Sequence, residues 1–123
     1  MEINAITGEI VDAAIKVHNA LGPGLLESTY EACLMYELHK RGLTVQSQVP
    51  LPVRYEEVVI ETGYRIDLLV AESVIVELKS VDQVAPIHKA QLLSYLKLSG
   101  KTVGLLINFN VELLKQGITR LAN

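Results

Sequence analysis

The stretch that most limits what this chain can fold into is Val103–Phe109, VGLLINF, in which Asn108 is the only strongly polar side chain. A strand with one wet face alternates apolar and polar residues, whereas a strand covered on both faces reads as a continuous apolar run. Whatever fold forms must therefore cover this strand twice. Just upstream, Pro86–Leu98 places Ile87, Ala90, Leu92, Leu93 and Leu96 at helical spacing and ends at Gly100. Pro is well tolerated in a first helical turn. Val74–Lys79, before that helix, is again of strand length and character. A strand–helix–strand unit within one sheet runs parallel with a right-handed crossover.

The second layer comes from the N-terminal third. Ile3, Ile6, Ile10, Ala13, Ala14, Val17 and Leu21 form one apolar stripe, with Glu9, Asp12 and Lys16 outside it, so residues 3–21 are predicted to be an amphipathic helix. Leu21-Gly22-Pro23-Gly24 stops it, because Gly suits a left-handed cap and Pro cannot continue a helix. A second helix is predicted from Leu25 to Arg41, ending at Gly42, with Leu26, Tyr30, Leu34 and Leu38 as its core ridge. Glu27 lies in its first turn, where an acid is favoured by the helix dipole whatever else it does. His18 stands beside the end of the first stripe, a place where a lone histidine usually caps or faces solvent. The single cysteine, Cys33, cannot form an internal disulfide and reads as an inert core thiol.

Residues 43–79 supply three or four strands, most simply an antiparallel meander. Thr44–Tyr55 is extended, and Pro50 and Pro52 confine it to an edge or break it. Glu56-Glu57 turns the chain into Val58–Ile60, which leads through Thr62-Gly63 into the hairpin GYRIDLLVAESVIVELK of residues 63–79. Strict alternation puts Tyr64, Ile66, Leu68 and Val70 on one face and Arg65, Asp67 and Leu69 on the other. On the return strand Ile75, Glu77 and Lys79 share a face. A turn centred on Glu72 sets Asp67 opposite Glu77, roughly 5 Å apart at Cβ. Two carboxylates that close repel unless a cation lies between them, and a lysine follows on the same face. That combination suits a divalent metal and a polarised water. A solvated hairpin face with alternating charges has the same pattern, and alternation alone does not separate the two. Leu113–Lys115 is predicted as a helical turn and Ile118–Leu121 as a short last strand. The fold class is therefore α/β: a three-layer α/β/α sandwich with a mixed central sheet.

Composition sets outer bounds. The chain of 123 residues is half apolar and only 5% aromatic, with no Trp, so one domain spanning 1–123 with an aliphatic core is expected. No apolar run is long enough for a bilayer and no basic-then-apolar leader opens the chain, which makes no membrane and a cytoplasmic setting the expectation. A net charge of −3 argues against a broad basic surface that grips nucleic acid, but not against local contact with phosphates.

At this point the chain resembles the PD-(D/E)xK nucleases, whose signature is an acid on one strand and (D/E)-x-K on the next. Asp67 and Glu77-Leu78-Lys79 fit it, with Ile66 where the proline of the name would stand. Gln91-Leu92-Leu93-Ser94-Tyr95 fits the Q-x-x-x-Y element of RecB-like members. The nearest likeness is the small GxxExxY group, through Gly24-Leu25-Leu26-Glu27-Ser28-Thr29-Tyr30, with Gln48-Val49-Pro50 and residues 104–109 also similar. The resemblance implies a restriction-endonuclease-like core and metal-dependent phosphodiester hydrolysis of DNA, less so of RNA. It implies that Asp67 and Glu77 hold Mg²⁺, or Mn²⁺, with Glu27 and the Leu78 carbonyl as further ligands and His18 as an extra one. Lys79 would orient the water or stabilise the transition state, and Gln91 and Tyr95 would position the strand or the phosphate. The alternative is a catalytically silent nuclease-fold module that binds nucleic acid or assembles with protein. A homodimer is expected as well, since a small domain spans a duplex only by pairing; the edge near 49–53 and the tail strand are the candidate contacts.

Overall fold

The apolar run becomes β6 (Val103–Asn108), and every residue of it is buried. The computed structural model describes all of residues 1–123. In chain order the other elements are α1 (Ile3–Leu21), α2 (Glu27–Lys40), β1 (Val45–Pro50), β2 (Val53–Tyr55), β3 (Val58–Ile60), β4 (Arg65–Val70), β5 (Val74–Lys79), α3 (Pro86–Ser99), a 3-10 turn (Leu114–Gly117) and β7 (Ile118–Ala122).

The main sheet has the order β1-β4-β5-β6-β7. Only β5 and β6 pair in parallel, from Val74↔Val103 to Lys79↔Asn108, and α3 makes the connection between them. On one face α1 and α2 bury Ile6, Ile10, Tyr30, Leu34 and Leu38 against Leu68, Val70, Val76 and Leu105. On the other, α3 buries Leu92, Tyr95 and Leu96 against Ile66, Ile75 and Leu106. Removing each such aliphatic side chain from water is worth about 1.5–3 kcal/mol. The result is the expected three-layer α/β/α sandwich with a mixed sheet and a restriction-endonuclease-like core.

The meander is corrected. β1 pairs directly with β4, from Val45↔Val70 to Pro50↔Arg65, and β2 and β3 form a separate two-stranded ribbon between them. The chain breaks at Leu51-Pro52, where the Leu51 side chain drops into the smaller core. Several apolar assignments change too. Leu26 is the exposed N-cap of α2 rather than part of its ridge, Leu21, Ile87 and Ala90 are exposed rather than packed, and Cys33 is half-buried.

Strict alternation also fails at one rung, and that failure shapes the site. Leu68 and Val70 face the larger core, but Ile66 faces the smaller one; on β1, Val45 packs toward the larger core and Val49 toward the smaller. Both strands reverse face at Gln48 and Asp67, the rung between Ser47↔Leu68 and Val49↔Ile66. Gln48 has φ +53°. Left-handed backbone costs a residue with a side chain roughly 1–2 kcal/mol. Pairing keeps one register on either side, so no residue is inserted and the strand simply twists over.

Gly104 lets α3 settle on β6: a Cβ there would lie 2.8 Å from Leu92 Cδ1. Leu92 is fully buried, so its side chain must shift within the smaller core to make room. Gly104→Ala should lower stability by about 1–3 kcal/mol, read as a fall in the urea midpoint at unchanged m-value; an unchanged midpoint would mean that α3 is not seated as described.

Candidate metal-binding and active site

The hairpin turns where expected. Val70↔Val74, Leu69↔Ile75 and Leu68↔Val76 pair, and continuing that register sets Asp67 opposite Glu77. Backbone pairing ends one step short of them. In its place each carboxylate takes a backbone donor of the facing strand: Asp67 N–H donates to Glu77 Oε2 at 2.8 Å, and Leu78 N–H donates to Asp67 Oδ2 at 2.9 Å. The strands can therefore part without stranding these two N–H donors.

The opening is a cavity of about 220 Å³ lined by Glu27, Ser28, Glu31, Gln48, Asp67 and Leu78. Tyr30 brings α2 to it. Its ring is fully buried and stacks on Phe109 with centroids 4.4 Å apart, while its hydroxyl donates to Gly22 O and accepts from Leu25 N–H at 3.1 Å. Gly22 (φ +70°) and Gly24 (φ +97°) adopt the left-handed backbone that this tight bend requires. The spacing from Gly24 to Tyr30 thus ties the loop to its own helix and sets Glu27 in the first turn at the cavity wall. Ser80 Oγ, donating to Leu25 O at 2.6 Å, fastens the same loop to the chain leaving β5.

Two residues at this wall escaped sequence reasoning. Gln48 Nε2 donates to Glu31 Oε1 at 2.9 Å and to Asp67 Oδ1 at 3.4 Å. The one available signal was that Glu31 sits a helical turn after Glu27. Asn108 was also missed: 2% exposed, it brackets Val81 through both its N–H and C=O and holds the loop that follows Lys79.

The electrostatics are those of an acid cluster short of positive charge. Burial, and then the neighbouring Asp67 carboxylate, push the Glu77 carboxyl from its ordinary 4.5 up to about 8; the Asp67 N–H bond and the Lys79 amine oppose them and are outweighed. Burial also raises Glu31, with Asp67 and Glu27 adding to the rise and the Gln48 bond opposing it. Lys79 is half-buried and forms no ion pair. No three His, Cys, Asp or Glu side chains converge closely enough to ligate one ion by themselves. The donor chemistry nonetheless suits a hard divalent cation, which can be held by one or two carboxylates with its other positions left to water and substrate phosphate. The two hairpin carboxylates are Asp67, at the cavity wall, and Glu77, outside it, whose Oε1 has no hydrogen bond within the chain.

The other sequence candidates divide. Tyr95 is 5% exposed in the smaller core, tilted against Tyr64 at 6.2 Å, and burial followed by the charges of Glu77 and Asp67 raises its phenol. Gln91 is half-buried on α3 and lies outside the cavity wall. His18 is corrected. It is neither a surface residue nor at the cavity: it is 5% exposed, and its Nε2 bonds Val111 O at 2.8 Å. Because α1 ends against the segment after β6, the imidazole serves that junction instead.

Compared with known proteins, residues 4–121 match the family model of the PD-(D/E)XK nuclease superfamily. No curated protein and no solved structure matches the chain.

A raised Glu77 has a signed consequence. Between about 4.5 and about 8 the folded chain holds a proton that the unfolded chain has lost, so stability falls as pH rises through that window and levels off above it. The Tm of the metal-free protein should decline across this range, and Glu77→Gln should flatten the decline. A Tm that rises with pH in both proteins would contradict the assignment.

Proposed function

The chain belongs to the PD-(D/E)XK nuclease superfamily, and on that footing we propose that it hydrolyses phosphodiester bonds of nucleic acid, DNA in preference to RNA, with Mg²⁺ or Mn²⁺ as cofactor. The observation that carries this reading is the Asp67–Glu77 pair at the parting of β4 and β5, with the unpaired Lys79 two residues along the same strand. The ligands would be Asp67 and Glu77, with the Leu78 carbonyl and, directly or through water, Glu27. A bound divalent cation supplies charge neutralisation at the phosphate and a water acidic enough to act near neutral pH.

The chain's own groups do the rest. Asp67 and Glu77, each fixed by a backbone N–H, keep their geometry before substrate arrives, so little reorganisation is needed during reaction. Glu77 would lose its proton when positive charge enters, because a cation offsets the burial and the Asp67 repulsion that keep it protonated. Lys79 supplies a fixed cation to orient the attacking water or to meet the charge that develops on the phosphate oxygens. Tyr95, whose phenol feels the charges of both acids, and Gln91, one turn earlier on α3, complete a Q-x-x-x-Y element that positions β5 or the phosphate. The bend from Gly24 to Tyr30 supports membership of the GxxExxY group, in which Tyr30 anchors Glu27.

Cleavage of single-stranded, duplex and branched DNA and of RNA should require Mg²⁺ or Mn²⁺. Lys79→Ala should lower the rate by about 10²–10³ with Tm unchanged, and Asp67→Asn should lower it at least as far. Cleavage that persists in excess chelator, or at full rate in both variants, would overturn the reading.

A further inference from the structure

Gln48 adopts its left-handed backbone (φ +53°) in the middle of a strand, although pairing with β4 keeps the same register on both sides of it. The turn that reverses the strand faces also swings the side chain to the cavity, where the two hydrogens of one amide nitrogen meet two carboxylates, Glu31 Oε1 at 2.9 Å and Asp67 Oδ1 at 3.4 Å. Asp67 is thereby held from both ends, Oδ2 by Leu78 N–H and Oδ1 by Gln48. Each oxygen retains acceptor capacity.

We propose that Gln48 is a positioning residue: its amide fixes the plane of the Asp67 carboxylate and bridges it to Glu31, so that a divalent cation meets Asp67 already aligned. This rests on the reading of Asp67 as a cation ligand given above. Hydrogen-bond partners of ligating carboxylates act in this way, and losing one costs about 10–100-fold in metal affinity. Backbone strain is also most often retained where function requires it.

Gln48→Gly is the informative substitution, because glycine accepts φ +53° freely and removes the side chain that carries the amide. The first readout is the Leu78 amide in metal-free, ¹⁵N-labelled protein, since its proton reports on the bond to Asp67. The second is Mg²⁺ and Mn²⁺ affinity by calorimetry. Expected are a Tm equal to or above that of the original protein, a shifted Leu78 resonance with faster solvent exchange, and cation affinity lower by about 10–100-fold. Gln48→Asn keeps the amide and tolerates the same backbone but reaches less far; it should keep part of the affinity, and a loss equal to that of Gln48→Gly would count against the amide. An unchanged Leu78 amide with unchanged cation affinity would overturn the proposal while leaving nuclease activity intact. An original protein that binds no cation would overturn the function reading instead, and the Leu78 amide would still decide whether Gln48 holds Asp67.

Discussion

The structure depends on an exchange at the end of the β4–β5 ladder, where side-chain carboxylates replace backbone carbonyls as acceptors. A sheet cannot open a polar cavity in its middle without orphaning N–H groups, and each buried orphan costs about 1–3 kcal/mol. Glu77 Oε2 takes the Asp67 N–H, and Asp67 Oδ2 takes the Leu78 N–H. The same two bonds let the strands separate and hold Asp67 at the cavity wall, while Glu77 lies buried outside it. Their cost falls on Glu77, 5% exposed beside a second acid, whose carboxyl rises to about 8. A site that lacks positive charge in this way is stabilised by whatever cation enters it.

Everything around the gap is tied down by a few contacts of the same kind. Tyr30 joins the core, through its stack on Phe109, to the loop before α2, through its hydroxyl. Ser80 fastens that loop to the end of β5, and Asn108 fastens the chain beyond Lys79 to β6. The acids of α2 and of the hairpin are thus brought together by rigid elements, and a preorganised charge arrangement of this type is what lowers a barrier without reorganisation at the moment of reaction.

Much of this was legible in the chain. The apolar run of β6 required two covering layers, and helical spacing supplied α1, α2 and α3 close to their observed ends. Symmetry about Glu72 gave the register that sets Asp67 against Glu77. One illegible part comes from period-two reasoning, which assumes that a strand keeps its faces, and β1 and β4 do not. The twist at Gln48 takes Ile66 to the smaller core and brings Gln48 to Glu31, neither of which alternation can foresee. Excision of β2 and β3 as a separate ribbon depends on Leu51 finding a place in the core, a tertiary choice. His18 was misread for a similar reason, since its partner Val111 lies far along the chain.

Cation binding linked to proton release tests the buried, protonated Glu77 most directly. Mg²⁺ or Mn²⁺ would be titrated calorimetrically at pH 7 in buffers of different ionisation heat. Expected is release of up to about one proton per cation bound, diminishing as pH passes about 8. Binding without proton release at pH 7, or no binding at all, would contradict a metal site built on Asp67 and Glu77.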